Sequence, residues 1–235
     1  SGSTEPFSAL IPRRLAGLKI AWWAGGPGLP VDPAVARVVA EAAGTFESLG
    51  CSVQEEAPPL TGAMDVFRVL RAAALSVTGR ALDIEVPGWR DHAKATAVWN
   101  LDQWRELGGA DIVNAEGRGT AFHRAAARFF DRYDALVLPA AQVPPFPIEQ
   151  EWVTEINGVA LPNYLDWMQV CCIISALGGP AAAVPAGFTP DGLPVGIQIV
   201  GRARDDLGVL GIAAAFEAAT GHGRRAPPES PGGAA

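Results

Sequence analysis

The side chains that could carry out covalent chemistry are few, and none of them forms a familiar catalytic motif. A hydroxyl nucleophile needs a base positioned beside it. No two serines are adjacent, and none lies in a Gly-x-Ser-x-Gly or Ser-x-x-Lys pattern. The serines are Ser1, Ser3, Ser8, Ser48, Ser52, Ser76, Ser175 and Ser230. The sequence therefore assigns no catalytic residue to this chain.

A thiol nucleophile is the alternative, with Cys171 or Cys172 attacking and His123 acting as base. The surrounding "QVCCIISAL" is apolar, and burial in apolar surroundings raises the pKa of a thiol. We therefore favour an inert core role for both cysteines. With Cys51, the three cysteines suit neither a disulfide framework nor a zinc site. No metal is expected.

The composition excludes several classes of partner. The net charge is −7 and the only lysines are Lys19 and Lys94, so no basic stripe could neutralise a run of phosphates. No stretch approaches about 18 uninterrupted apolar residues, and no basic segment leads into an apolar one near the start. "GGPGLP" is half of a dinucleotide fingerprint, interrupted by proline. We expect no nucleic acid, membrane or cofactor, and a cytoplasmic location.

The elements near the start predict a β-α-β unit. Leu18–Trp23 is rich in strand formers, and Cys51–Glu55 alternates between apolar and polar residues. Between them, Asp32 and Pro33 predict the start of a helix that Gly50 closes. Two strands joined in this way are expected to lie parallel through a right-handed crossover.

The patterns in the rest of the chain predict a helical region and then further strands of the sheet. Helical patterns cover Met64–Leu82, Trp99–Leu107, Asn114–Tyr133 and Leu165–Leu177, and strand patterns cover Ala135–Leu138, Ala181–Val184 and Val195–Val200. Asp205 or Asp206 is expected to cap a final helix. The predicted fold class is α/β, a mixed sheet with flanking helices. We expect a single domain over residues 1–222 and a flexible tail over residues 223–235.

The stretch "GGPAAAVPAGFTPDGLPVGIQIVGRARDDLGVLGIAAAFE" places glycine and proline turns around two short apolar runs. It resembles the C-terminal block of the amidase signature family, which reads Gly-x-Pro-Ala, Val-Pro-x-Gly, Gly-Leu-Pro-x-Gly-x-Gln. "RRLAGLKIAWW" and "YDALVLPAAQVPPFP" are similar to earlier pieces of the same family, in the same order. "NYLDWMQVCCIISALGGPAA" is similar to the segment before the Gly-Pro-Ala turn in many bacterial amidases.

The resemblance implies cleavage of amide bonds by a serine nucleophile, a second serine in a cis peptide and a lysine that takes up protons. Neither Lys19 nor Lys94 stands in a matching context, and "TEPFSALIP" matches the point where the family's catalytic half ends. We therefore expect the C-terminal portion of an amidase acting on a carboxamide, with the catalytic residues missing. Such a chain is expected to be inactive alone, and to self-associate or need the missing N-terminal half.

Two other interpretations of the resemblance stay open. The chain could be a non-catalytic module that binds small molecules or another protein on the same fold. It could also be a fragment of the A subunit of an amidotransferase, although residues 164–180 resemble the stand-alone bacterial amidases more.

The resemblance also points to a substrate-binding segment at Tyr164, Asp166 and Trp167. It implies that Trp167 walls a substrate cavity and that Asp166 contacts a polar end of the substrate. In the alternative, the rings pack under the hairpin and Asp166 is solvated. Three further aromatic residues are expected either to shape access of the substrate or to pack in the core or at the surface. They are Trp89, Trp99 and Trp104. A loop at the rim of the site is expected to be made rigid by its prolines, Pro139, Pro144, Pro145 and Pro147.

Overall fold

A computed structural model describes residues 12–26 and 28–225 of the chain. Strand β1 covers Lys19–Trp22, helix α1 covers Pro33–Ser48 and strand β2 covers Ser52–Glu55. The two strands are parallel, with Ile20 opposite Val53. The Asp32 carboxylate accepts a hydrogen bond of 2.8 Å from the Ala34 amide, and Pro33 occupies the first turn of α1. The predicted β-α-β unit is therefore present, with its predicted cap.

The helical region contains three helices, α2 at Ala63–Glu85, α3 at Ala95–Asp102 and α4 at Gly109–Phe130. Each differs by several residues at one or both ends from the range that the sequence predicts. Short 3-10 turns at Trp89–Asp91 and Gln103–Glu106 flank α3. Proline and glycine at 87 and 88 end α2, because proline cannot continue the backbone hydrogen bonding and Gly88 has a φ of 78°.

The remaining elements complete a mixed sheet. They are β3 at Ala135–Pro139, the small hairpin of β4 at Glu155–Ile156 and β5 at Val159–Ala160, α5 at Gln169–Ser175, β6 at Ala181–Phe188, β7 at Pro194–Val200, and α6 at Asp206–Thr220. The main sheet has the order β2-β1-β3-β7-β6. β3 is parallel to β1, whereas β7 is antiparallel to both β3 and β6. The predicted mixed α/β fold is confirmed.

Two apolar layers cover the sheet. On one face α1 and α6 pack together, with the rings of Phe46 and Phe216 stacked at 4.9 Å. On the other face lie α2, α4 and α5, which contribute Met64, Phe129 and Ile173. Every residue of β3 is buried, as expected for a central strand covered on both faces.

The end of the chain lies partly outside the described residues. A 3-10 turn covers His222–Arg224, and the guanidinium of Arg225 lies 4.2 Å from the centre of the Phe188 ring on β6. Residues 226–235 of the predicted tail, and residues 1–11, are not among those described. In the described part of the chain, no helix combines the length and the apolar character needed to cross a membrane.

Candidate substrate site

The predicted site segment lies between the carboxyl end of β3 and the start of α5. Asp166, Trp167 and Met168 form a 3-10 turn that leads directly into α5. The Asn163 side chain accepts a hydrogen bond of 3.0 Å from the Leu165 amide, which shapes the approach to this turn. Ligands of open α/β sheets commonly bind at the carboxyl ends of parallel strands, and this segment is placed at that end of β3.

Trp167 lines an apolar cavity of about 310 Å³ at this end of the sheet. Phe146 lines the same cavity, and its ring meets the Trp167 ring edge to face at 5.3 Å. Residues 194–196, at the start of β7, also line it. The role of Trp167 in binding substrate stays a prediction, and the structure places a cavity beside it.

Asp166 is buried and has partners for both carboxylate oxygens. Arg68 of α2 forms an ion pair with Oδ1, and Asn163 Nδ2 donates to Oδ2 at 2.8 Å. The alternative in which Asp166 is solvated is therefore wrong. The ion pair connects α2 to the turn that carries Trp167, so within this chain Asp166 holds that turn in place. Contact between Asp166 and a substrate stays a prediction.

Tyr164 is half-buried next to Trp167, and the two ring centres lie 6.4 Å apart. It lines a separate cleft with Trp99 and Trp152. The three predicted residues are thus adjacent in space, but they face different surroundings: a cleft, an ion pair and an apolar cavity.

Gln142 is a site residue that the sequence did not reveal. Its side chain is fully buried, and Nε2 donates to the carbonyl oxygens of Pro30 at 2.9 Å and Asp166 at 3.2 Å. Its Oε1 accepts a hydrogen bond of 3.0 Å from the Val170 amide. Gln142 therefore joins the segment at Pro30, the 3-10 turn at Asp166 and the first turn of α5. In the sequence, Gln142 is visible only as a lone polar residue in "AAQVPP". That pattern does not indicate that its side chain is buried.

The cysteines do not form a catalytic pair with histidine in the described residues. Cys172 is buried, and burial raises the pKa of its thiol to about 12. Cys171 differs from the expectation of a core residue, because it keeps an exposed surface. Its Sγ donates to the Ala140 carbonyl at 3.1 Å, and partial burial raises the pKa of this thiol as well. His123 is an exposed residue of α4, and its ring lies against Gly178.

The described serines and lysines also form no catalytic group with one another. Ser48, Ser76 and Ser175 each donate a hydrogen bond to a backbone carbonyl of their own helix. Lys19 lies on β1 and Lys94 precedes α3. Among the described residues, no cluster of three or more histidine, cysteine or carboxylate side chains could hold a metal ion.

Two of the three additional tryptophans belong to a packed ion-pair network. Trp89 donates through Nε1 to Asp83 at 3.0 Å, and Arg90 pairs with both Asp83 and Asp102. Arg105 also pairs with both carboxylates and lies 5.1 Å from the Trp104 ring centre. For Trp89 and Trp104 the structure shows packing, which joins α2 to the two 3-10 turns.

Comparison with known proteins identifies the family. The family model for amidases matches residues 2–210. The chain belongs to the amidase signature family. An acylamidase of Rhodococcus erythropolis is 32% identical to the chain over 209 residues, covering 86% of the chain and 42% of the relative. The A subunit of a glutamyl-tRNA(Gln) amidotransferase from Symbiobacterium thermophilum is 30% identical over 221 residues, covering 84% and 43%. The expected preference for stand-alone amidases is confirmed.

Solved structures of amidases share the fold. A bacterial aryl acylamidase of the amidase signature family superposes with a TM-score of 0.78 at 24% identity, covering 91% of this chain and 46% of that one. A 6-aminohexanoate cyclic dimer hydrolase gives a TM-score of 0.79 at 21% identity, covering 97% and 50%. The chain therefore spans half or less of the length of the relatives named here.

Proposed function

We propose that this chain is the C-terminal portion of an amidase that hydrolyses a carboxamide C–N bond to a carboxylate and ammonia or an amine. The observation that carries the proposal is the amidase match over residues 2–210, in a chain whose serines and lysines fit no catalytic pattern. The serine nucleophile, the second serine and the lysine are then supplied by polypeptide outside these 235 residues.

In this proposal the chain supplies one wall of the substrate site. The catalytic serine attacks the amide carbonyl, the amine leaves with a proton, and water then hydrolyses the acyl ester to regenerate the serine. Trp167 and Phe146 contact an apolar part of the substrate in the 310 Å³ cavity. Tyr164 lies beside it, and Asp166 keeps Trp167 in place through its ion pair with Arg68.

The β6 edge of the sheet supports a requirement for a protein partner. In the described chain, β6 pairs with β7 along one edge, and no strand lies along the other. Ala181 and Ala183 of this strand are exposed. An unpaired strand presents backbone donors and acceptors to another chain. We propose that the missing N-terminal half covers this edge, and that a second copy of the chain covers it when that half is absent.

Two further parts of the proposal concern the setting. All three cysteines are free thiols, in keeping with a reducing, cytoplasmic location. The low number of basic residues supports a small carboxamide, rather than a nucleic acid, as the molecule bound.

Reconstitution tests the proposal. The chain is produced alone and together with the polypeptide encoded directly upstream, and ammonia release from simple carboxamides is measured. We expect activity in the combined sample and none from the chain alone. The control replaces adjacent serines of the upstream half by alanine, which should abolish the activity. Turnover by the chain alone would contradict the proposal, and binding without turnover in every combination would favour a binding module instead.

A further inference from the structure

A second recess, distinct from the Trp167 cavity, is lined in part by Tyr164. It is an open cleft of about 280 Å³ whose lining includes Trp99 of α3, Trp152 and Tyr164, together with the carboxylate residue Glu151. We call it the aromatic cleft. It therefore combines three large aromatic side chains with one acidic group.

The aromatic cleft lies where the small β4–β5 lobe meets the helical layer. Trp99 and Tyr164 pack against the core formed by α2, α4 and α5. Trp152 packs against the separate apolar cluster that contains Val153 and Ile156. Thr96 Oγ1 donates to Glu151 Oε1 at 2.8 Å, which links α3 to the lobe. The three rings thus pack in two different cores, and the hydrogen bond from Thr96 to Glu151 connects the elements that carry them.

Five aromatic residues of the described chain have an arginine over the ring, and the rings of this cleft are among those that have none. Elsewhere in the described chain, arginine guanidinium groups lie over Trp89, Trp104, Phe129, Tyr133 and Phe188. In that same part of the chain, no arginine or lysine is found over Trp99, Trp152 or Tyr164. No basic residue lines the cleft, whereas Glu151 contributes a negative charge. The cleft therefore has the groups that attract a cation and none of its own cations in place.

We propose that the aromatic cleft binds an organic ammonium ion, meaning a small protonated or methylated amine. A cation is attracted to the negative face of an aromatic ring, and several rings together recognise alkylated ammonium groups. Glu151, an exposed residue of the lining, adds a negative charge. A purely apolar ligand would gain nothing from Glu151. The proposal goes beyond amide hydrolysis, because none of these groups belongs to the Trp167 cavity.

Binding of choline is compared with binding of 3,3-dimethylbutan-1-ol, its uncharged isostere, to the full 235-residue chain. The readout is the shift of the tryptophan indole signals in a ¹H–¹⁵N titration, which needs no enzymatic activity. We expect choline to bind at least about tenfold more tightly than the neutral alcohol. Equal affinities would overturn the proposal, since they would show a site that recognises shape and apolar surface alone.

Variants locate the binding in the cleft. Glu151→Gln keeps an acceptor for Thr96 but removes the charge, and we expect it to weaken choline binding several-fold without affecting the alcohol. Trp152→Leu should weaken choline binding about tenfold, and Trp152→Phe should weaken it less because a ring remains. The matched control is Glu149→Gln, an exposed acid outside the cleft in the same loop. Unchanged choline affinity in folded Glu151→Gln and Trp152→Phe, or an equal loss in Glu149→Gln, would overturn the assignment.

Discussion

The side chain of Gln142 holds the amide of Val170, with Oε1 and the backbone nitrogen 3.0 Å apart. This contact connects the residues after β3 to the first turn of α5, and Nε2 of the same side chain holds Pro30 and Asp166. The position of Trp167 therefore depends on a buried glutamine 25 residues earlier in the chain.

Replacing Gln142 by alanine should destabilise the chain by about 3 kcal/mol. The change leaves the buried Val170 amide, the buried Asp166 carbonyl and the partly buried Pro30 carbonyl without their partner, and it opens a cavity. Urea unfolding at neutral pH measures the loss. Gln150→Ala serves as the control, because Gln150 is exposed and makes one bond to the Trp152 carbonyl. Similar losses in both variants would show that Gln142 has no special structural role.

Asp166→Asn should cost about 1 to 2 kcal/mol in unfolding free energy. The change removes the charge that Arg68 pairs with, while an oxygen remains for Asn163. The expected loss is below that of a fully buried ion pair, because the Arg68 side chain is 40% exposed. A double-mutant cycle with Arg68→Met isolates the pair.

The matched control for Asp166 lies on the same helix as Arg68. Asp65 pairs with Arg118, and both side chains are more than half exposed, at 61% and 52%. Asp65→Asn should therefore change the unfolding free energy by less than about 0.5 kcal/mol. The role given to Asp166 fails if its coupling to Arg68 is no larger than that of the exposed pair.

The Asp83 carboxylate makes stability depend on pH in the acid range. Hydrogen bonds from Arg90 and Trp89 lower the pKa of Asp83 from 3.8 to about 2. Because this pKa is lower in the folded state than in the unfolded state, ionised Asp83 stabilises the folded chain. This stabilisation is complete above about pH 4 and is lost as the pH falls through about 2. The difference in melting temperature between the wild type and Asp83→Asn should therefore shrink between pH 5 and pH 2. Asp91→Asn, a change at a nearby exposed acid, is the comparison; a constant difference for Asp83→Asn would contradict the assignment.

Gly179→Ala should destabilise the chain by about 2 kcal/mol. A Cβ at this position would lie 2.6 Å from the Gly201 carbonyl oxygen, which is backbone and cannot move aside alone. Gly117→Ala in α4 is a control of opposite sign, because no atom lies within 4 Å of its added Cβ. Alanine favours a helix more than glycine does, so this variant should be about 0.5 kcal/mol more stable. The melting temperatures of the two variants are compared with that of the wild type. A shift of both in the same direction would contradict the packing argument.

Much of the fold follows from local patterns in the sequence. The Asp32-Pro33 cap, the apolar run of β3 and the turns around β6 and β7 all depend on neighbours a few residues apart, so a reader of the sequence can recognise them. The helix boundaries between residues 62 and 132 are less evident from the sequence. The region is stabilised there by ion pairs among Asp83, Arg90, Asp102 and Arg105, which periodicity does not reveal.

The sequence by itself determined the α/β elements, the amidase resemblance and the absence of a serine–lysine pattern within these residues. Only the tertiary structure decided that Asp166 is buried, and that its partner is Arg68, 98 residues earlier in the chain. It also decided that Gln142 joins the segment at Pro30, the turn at Asp166 and the start of α5. It also brought Trp99 and Trp152 to one cleft with Tyr164. The physical reason is that a long-range contact depends on how whole elements pack against the sheet, and no short stretch of sequence contains that information.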